Sequence, residues 1–152
     1  MLLALSPAVM VTAPSAHAAV TAVTAVTASA GTTARYEARV IYQINLQRAR
    51  YHKGRLTAAS CPDRYAERWG AYLARTGRFY HQSMYPILRG CGAHRVAENL
   101  ARGNIGAEKI VAAWMRSPGH RANVLDGRLT RIGVAAVYRN HTWTVAADFS
   151  RP

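Results

Sequence analysis

The chain has 152 residues, half of them hydrophobic, with 20 Lys and Arg against 7 Asp and Glu. That length fits one domain with its own core, and no unbroken apolar run of spanning length is present, which excludes a membrane-spanning helix. The formal charge of +13 favours anionic partners such as wall polymers, phospholipid headgroups or nucleic acid, although GC-rich Arg codons explain the excess equally well. The arginines are scattered (Arg35, Arg48, Arg64, Arg89, Arg131, Arg151). No basic-aromatic module is visible, which sets nucleic acid aside.

Residues 1–34 carry no Asp, Glu, Lys or Arg. The apolar run from Met1 to Val11 has the length of a leader's hydrophobic region, and Ala16-His17-Ala18 fits a small-x-small cleavage site. Residues 1–18 therefore read as a signal peptide, incomplete at its start because the basic n-region is missing. No cysteine lies near the cut, so a lipoprotein anchor is not supported. Residues 19–34, with the repeat Thr-Ala-Val-Thr-Ala-Val-Thr, are expected to be a low-complexity tail and not a fold element.

Tyr36, Val40, Ile41 and Ile44 predict a first helix from Arg35 to about Tyr51. Ser60-x-x-Asp63 has the capping-box pattern and opens a second helix, which ends at Thr76 before Gly77. Tyr65, Trp69, Tyr72 and Leu73 mark its buried face. The aromatic pair Phe79-Tyr80 leads into His81, followed by irregular chain through Pro86 and Gly90. Cys61 and Cys91 are the only cysteines. In a secreted chain they predict one disulfide, worth about 3–4 kcal/mol by loop closure.

A short strand is expected around His94–Ala97. Ile110, Val111, Trp114 and Met115 then share one face of a helix from Gly106 to about Arg116. Pro118 stops that helix, and Ser117 is a good N-cap for a second short one, which places His120 in its first turn. The helix dipole keeps a histidine there neutral, able to accept a proton or bind a metal. An ordinary hydrogen-bonded buried histidine fits the same position. Residues 132–138 and 143–149 alternate in polarity about Arg139-Asn140-His141 and predict an antiparallel hairpin. Helices first and a hairpin last indicate an α+β fold.

These landmarks, taken in order, resemble the CAP superfamily (cysteine-rich secretory proteins, antigen 5 and pathogenesis-related class one proteins), in its compact bacterial secreted branch. The matching residues are His81 after the aromatic pair, Glu98-Asn99-Leu100-Ala101, and Trp114-Met115-x-Ser117-Pro118-Gly119-His120-Arg121-x-Asn123. Ile132-Gly133-Val134 and the strand to Phe149 follow. The resemblance covers about Arg35 to Phe149. It implies a single CAP domain over residues 35–152, folded as a three-layer α-β-α sandwich with a central antiparallel sheet and a cleft.

In animal and plant members a tetrad of two histidines and two glutamates lines that cleft, and some members hold a divalent metal there, often zinc. Carried over by position, His81 and His120 are the histidines and Glu98 the first glutamate. The second glutamate's position holds Ser117, and Glu108 lies on the wrong side of Trp114 to replace it. The implied ligand cleft is His81, Glu98, Asn99, Ser117 and His120. The implied metal ligands are His81 and His120, with Glu98 either a third ligand or the partner that orients one imidazole.

Three functions compete. The first is a secreted, monomeric binding module for an extracellular lipid, sterol or anionic envelope polymer, with no required cofactor and a weak zinc site at most. The second is a secreted hydrolase of wall polymer or peptide, with His81, Glu98 and His120 as its catalytic candidates. In the third, the same residues only hydrogen-bond the fold together. A Ser117–His120 nucleophile pair is outweighed by the capping role of Ser117 and the lack of a Gly-x-Ser-x-Gly elbow. Nothing in the sequence recruits Asp126 or Asp148 as a second carboxylate.

Overall fold

The computed structural model describes the backbone from Ala16 and the side chains from Thr32 to Pro152. Of the leader expected over residues 1–18, residues 1–15 lie outside the described residues. The elements are α1 (Ala16–Arg50), β1 (Thr57–Ala58), α2 (Ser60–Thr76), α3 (Tyr85–Gly90), β2 (Arg95–Gly103), α4 (Ala107–Arg116), α5 (Pro118–Leu125), β3 (Arg131–Arg139) and β4 (Thr142–Arg151). Residues Thr32–Pro152 form one compact unit.

The architecture is the expected α-β-α sandwich. The sheet order is β1-β3-β4-β2, antiparallel throughout except for the two-residue β1, which runs parallel to β3. Asn140 and His141 turn the β3–β4 hairpin with φ of 48° and 57°, the left-handed pair that a tight two-residue connection requires. Alternation along the strands sends Leu100, Ala135 and Ala146 to one face, where they pack on Ala66 and Leu73 of α2. Val134, Ala136, Val145, Ala147 and Phe149 face the other way, onto Val40 and Ile44 of α1 and Ile110, Val111 and Trp114 of α4.

Two close approaches set how α2 lies on the sheet. A Cβ on Gly133 would stand 2.1 Å from the Asp63 backbone nitrogen, and one on Gly70 would stand 3.1 Å from the Ala135 Cβ. The disulfide Cys61–Cys91 joins the start of α2 to the residue after α3. Arg48, in the last turn of α1, is 1% exposed. Its guanidinium donates to the carbonyls of Gly54 (2.6 Å), Val124 (2.8 Å), Asp126 (3.0 Å) and Leu129 (3.1 Å), tying α1 to the end of α5.

Several local expectations are revised. Helix α1 begins at Ala16, where alanine, the best helix former, is frequent. The stretch after His81 holds the helix α3, with Pro86 in its first turn and Ile87 buried. Strand β2 runs nine residues, well beyond Ala97, because two buried polar residues, Glu98 and Asn99, interrupt the apolar alternation that marks a strand. Ala59 is the N-cap of α2 and makes no side-chain cap bond. Asp63 accepts instead from the Val134 amide of β3 at 3.2 Å, and Glu37 accepts from the Ala136 amide at 2.9 Å. Both amides lie beyond the short reach of β1, so carboxylates finish the edge that β1 leaves open.

Candidate functional site

Strand β2 is the outer strand on its side of the sheet, and the site is built around it. The outward backbone of such a strand needs partners. Trp114 of α4 supplies one: its Nε1 donates to the Leu100 carbonyl at 2.9 Å. Asn123 of α5 supplies another, donating from Nδ2 to the Glu98 carbonyl at 3.1 Å and to Asn99 Oδ1 at 3.0 Å. Asn99 in turn donates to the His120 carbonyl at 3.1 Å. Asn99, expected to line the cleft, is wholly buried and ties α5 to β2 through its bonds to the His120 carbonyl and Asn123.

Glu98 points to the α2 face, and its side chain is 2% exposed against 59% for His81. It accepts from His81 Nδ1 at 2.6 Å, from the Gln82 amide at 3.2 Å and from Gln82 Nε2 at 2.9 Å. A carboxylate placed to accept makes Nδ1 the nitrogen that donates, with the rest of the His81 ring exposed. The aromatic face of α2 brings His81 to this position. Trp69 Nε1 donates to the Tyr80 carbonyl at 3.1 Å, and the Tyr80 ring packs edge-on against Trp69 with centroids 5.1 Å apart. Arg102 of β2 lies over the Phe79 ring, 4.9 Å from its centroid, and donates to the carbonyls of Gly77 (2.8 Å) and Arg78 (2.6 Å).

Asp148 is a member of the site that sequence pattern alone does not reveal. In the β2–β4 register it stands directly opposite Glu98, and it is wholly buried. Gln82 Nε2 bridges the two carboxyls, reaching Asp148 Oδ2 at 2.9 Å and Oδ1 at 3.2 Å. Burial, with the Glu98 charge next in size, raises Asp148 to about 8, against the smaller opposing effect of the Gln82 bond. Two carboxylates facing each other across adjacent strands repel. Asp148 therefore keeps its proton at neutral pH and leaves Glu98 as the acceptor behind His81. The signal in the sequence was an Asp inside an apolar alternating strand.

His120 comes to the same region from α5. Its Nδ1 lies 2.8 Å from Ser117 Oγ. Burial, and then the charge of His81, hold its imidazole below the ordinary histidine range, so it is neutral at pH 7. The expected side-chain cap is corrected here. Ser117 occupies the N-cap position of α5 but makes no side-chain cap bond, because its hydroxyl is engaged with His120. The structure thus brings His81, Glu98, Ser117 and His120 around one strand, with Asn99 behind them.

The donor set falls short of a zinc centre. Among the described residues, no group of three or more His, Cys, Asp or Glu side chains converges on a metal-sized position. Glu98, the expected third ligand, has both carboxylate oxygens engaged by His81 and Gln82, so its contacts are those of an orienting partner. Two imidazoles alone are fewer than the three or four protein ligands of a resident zinc.

Comparisons with known proteins agree with this architecture. The family model described as CAP, cysteine-rich secretory protein family, matches residues 41–149. The uncharacterized protein YkwD of Bacillus subtilis is 29% identical over 140 residues, covering 88% of this chain and 54% of that protein; the chain thus spans about half the length of that relative. Among solved structures, an extracellular protein containing an SCP domain from Bacillus anthracis superposes with a TM-score of 0.71 at 20% identity, covering 79% of this chain and 41% of the other. An outer surface protein from Borrelia burgdorferi superposes with a TM-score of 0.67 at 17% identity, covering 73% and 88%.

Proposed function

The chain belongs to the CAP family of cysteine-rich secretory proteins, and from that premise we propose that it works outside the cell as a monomeric binding module. Its cleft takes an extracellular or cell-envelope ligand (a lipid, a sterol or an anionic polymer) against the imidazoles of His81 and His120. The observation that carries this reading is the exposed His81 ring held at 2.6 Å by a buried carboxylate. A fixed ring presents Nε2 in one direction without losing side-chain freedom on binding. The extracellular and outer-surface descriptions of the structural neighbours support the location.

The same geometry weighs against a serine hydrolase. The buried acid stands behind His81, whereas the serine hydroxyl bonds His120. A nucleophile triad needs both on one imidazole. The alternative with an observation in its favour is acid–base hydrolysis, because Glu98 and the proton-bearing Asp148 share one amide. Asp148 is wholly buried, however, and an acid that meets no substrate donates no proton to it.

The test measures binding to anionic vesicles, sterol micelles and purified wall polymer for the parent chain, His81→Ala, His120→Ala and Glu98→Gln. Turnover of wall and peptide substrates is measured beside it. The expected result is a retained fold, weakened binding of one ligand class in all three variants, and no turnover. Turnover by the parent that Glu98→Gln abolishes establishes the hydrolase; binding unchanged in all three variants removes the cleft from the function.

A further inference from the structure

We infer that the end of the sheet where β1, β3 and β4 meet is a binding site, a three-arginine seat for a phosphate group carried as a mono- or diester. A concavity of about 450 Å³ lies there, lined by Arg55, Thr57, Thr130, Arg131, Arg151 and Pro152. Three separate segments meet to make it: the residues leading into β1, the start of β3 and the end of β4. Their placement is set by the backbone. Thr57 pairs with Arg131, Arg131 pairs with Ser150, and the Thr57 and Thr130 amides bond the carbonyls of Thr130 and Ser150 at 3.0 and 3.1 Å.

The case for an anion rests on which charges remain unmatched. None of the sequence's seven carboxylate side chains lines the concavity. Glu37 and Asp63 cap β3 amides. Glu98 and Asp148 share Gln82. Glu108 pairs with Arg39, and Asp126 pairs with Arg95 and Arg128. None of the four ion pairs among the described residues includes Arg55, Arg131 or Arg151. Among the described residues, the hydrogen bond these three guanidiniums make runs from Arg151 Nη1 to the Arg128 carbonyl at 3.4 Å.

Three cations in one concavity repel one another until an anion sits between them. Guanidinium forks match tetrahedral phosphate oxygens with two parallel hydrogen bonds each, which a point charge such as lysine does not offer. The rim hydroxyls of Thr57 and Thr130 are further donors suited to ester oxygens. The volume exceeds that of a lone phosphate and has room for the group an ester carries. Phosphate esters of this kind occur both in lipid headgroups and in phosphodiester polymers of the envelope. The site is independent of the histidine cleft and stands or falls without it.

The test compares the parent chain with Arg55→Gln/Arg131→Gln/Arg151→Gln and with a charge-matched control, Arg35→Gln/Arg64→Gln/Arg116→Gln, whose arginines are also exposed. The probes are inorganic phosphate, poly(glycerol phosphate) and vesicles of pure phosphatidylglycerol, titrated calorimetrically at low and high salt, with thermal melts confirming that all three proteins are folded. The expected result is about tenfold or greater loss for at least one phosphate probe in the strand-end variant only, with affinity falling as salt rises. Vesicle binding with no response to polymer assigns a headgroup; the reverse assigns a polymer. Equal losses in both triple variants reduce the effect to diffuse charge and overturn the proposal, as does a parent chain that binds none of the probes.

Discussion

Replacing Asp148 with asparagine tests the electrostatics behind His81 directly. Asp148 is wholly buried and its carboxyl is raised to about 8, first by burial and then by Glu98; an unfolded Asp titrates near 4. The folded chain therefore holds a proton that the unfolded chain has released between about pH 4 and pH 8. Where the native state binds more protons, stability falls as pH rises, at about 1.4 kcal/mol per pH unit for one proton. From pH 5 to pH 7 this group alone removes about 3 kcal/mol, which is roughly 8–15 °C of Tm for a domain of this size.

Other groups also titrate in that window. Burial raises Glu37 to about 7 and raises Glu67, with the same sign, while the lowered His120 acts in the opposite direction. The Asp148→Asn variant isolates one contribution, because the new amide has no titrating proton and its carbonyl still accepts from Gln82. Melts of both proteins by calorimetry, from pH 4 to pH 9 at constant ionic strength, should show the variant's Tm advantage growing by roughly 8–15 °C between pH 5 and pH 7 and levelling above pH 8. A difference that stays constant across that range refutes the assignment of a retained proton to Asp148.

Gly133→Ala places a Cβ 2.1 Å from the Asp63 backbone nitrogen; we expect a loss of about 3 kcal/mol or failure to fold, read by chemical denaturation. Arg48→Met fills similar volume but leaves four carbonyls without their donor, and a loss of about 3–5 kcal/mol is expected in the same assay. Calorimetric titration with zinc should give no saturable one-site isotherm at micromolar protein, because Glu98 is engaged as a partner and only two imidazoles remain; a saturable site lost in both His81→Ala and His120→Ala would reverse that conclusion.

The fold was readable where one physical signal dominated. Helical spacing located α2 and α4, and strict alternation located the β3–β4 hairpin. The family resemblance supplied the layering that local pattern alone does not specify. It was less readable where polar residues are buried. Glu98 and Asn99 broke the alternation of β2, and Asp63 looked like a helix cap although it closes a strand edge seventy-one residues away in sequence. The cysteine pair was readable from count alone. Asp148 was not, because its importance depends on strand register: one residue's shift would have put it on the opposite face from Glu98. The arginine concavity was invisible for a similar reason, since Arg55, Arg131 and Arg151 meet only after β1, β3 and β4 align.

The motif residues divide into two tasks, closing the outer strand and orienting the imidazoles beside it. An outer strand with open backbone groups invites pairing with another chain. Here both sides of the sheet are closed by side chains: Asp63 and Glu37 close β3, and Trp114 and Asn123 close β2. On the β2 side the sealing groups also fix α5 through Asn99 and the His120 carbonyl. The strand that carries Glu98 is thereby held against sliding, and a one-residue slip would turn Glu98 away from His81. Closing the edge and orienting the imidazoles are therefore one structural act. The residues left over from it are His81 on one side and Ser117 with His120 on the other, and on the binding reading proposed above they are the ones offered to a ligand.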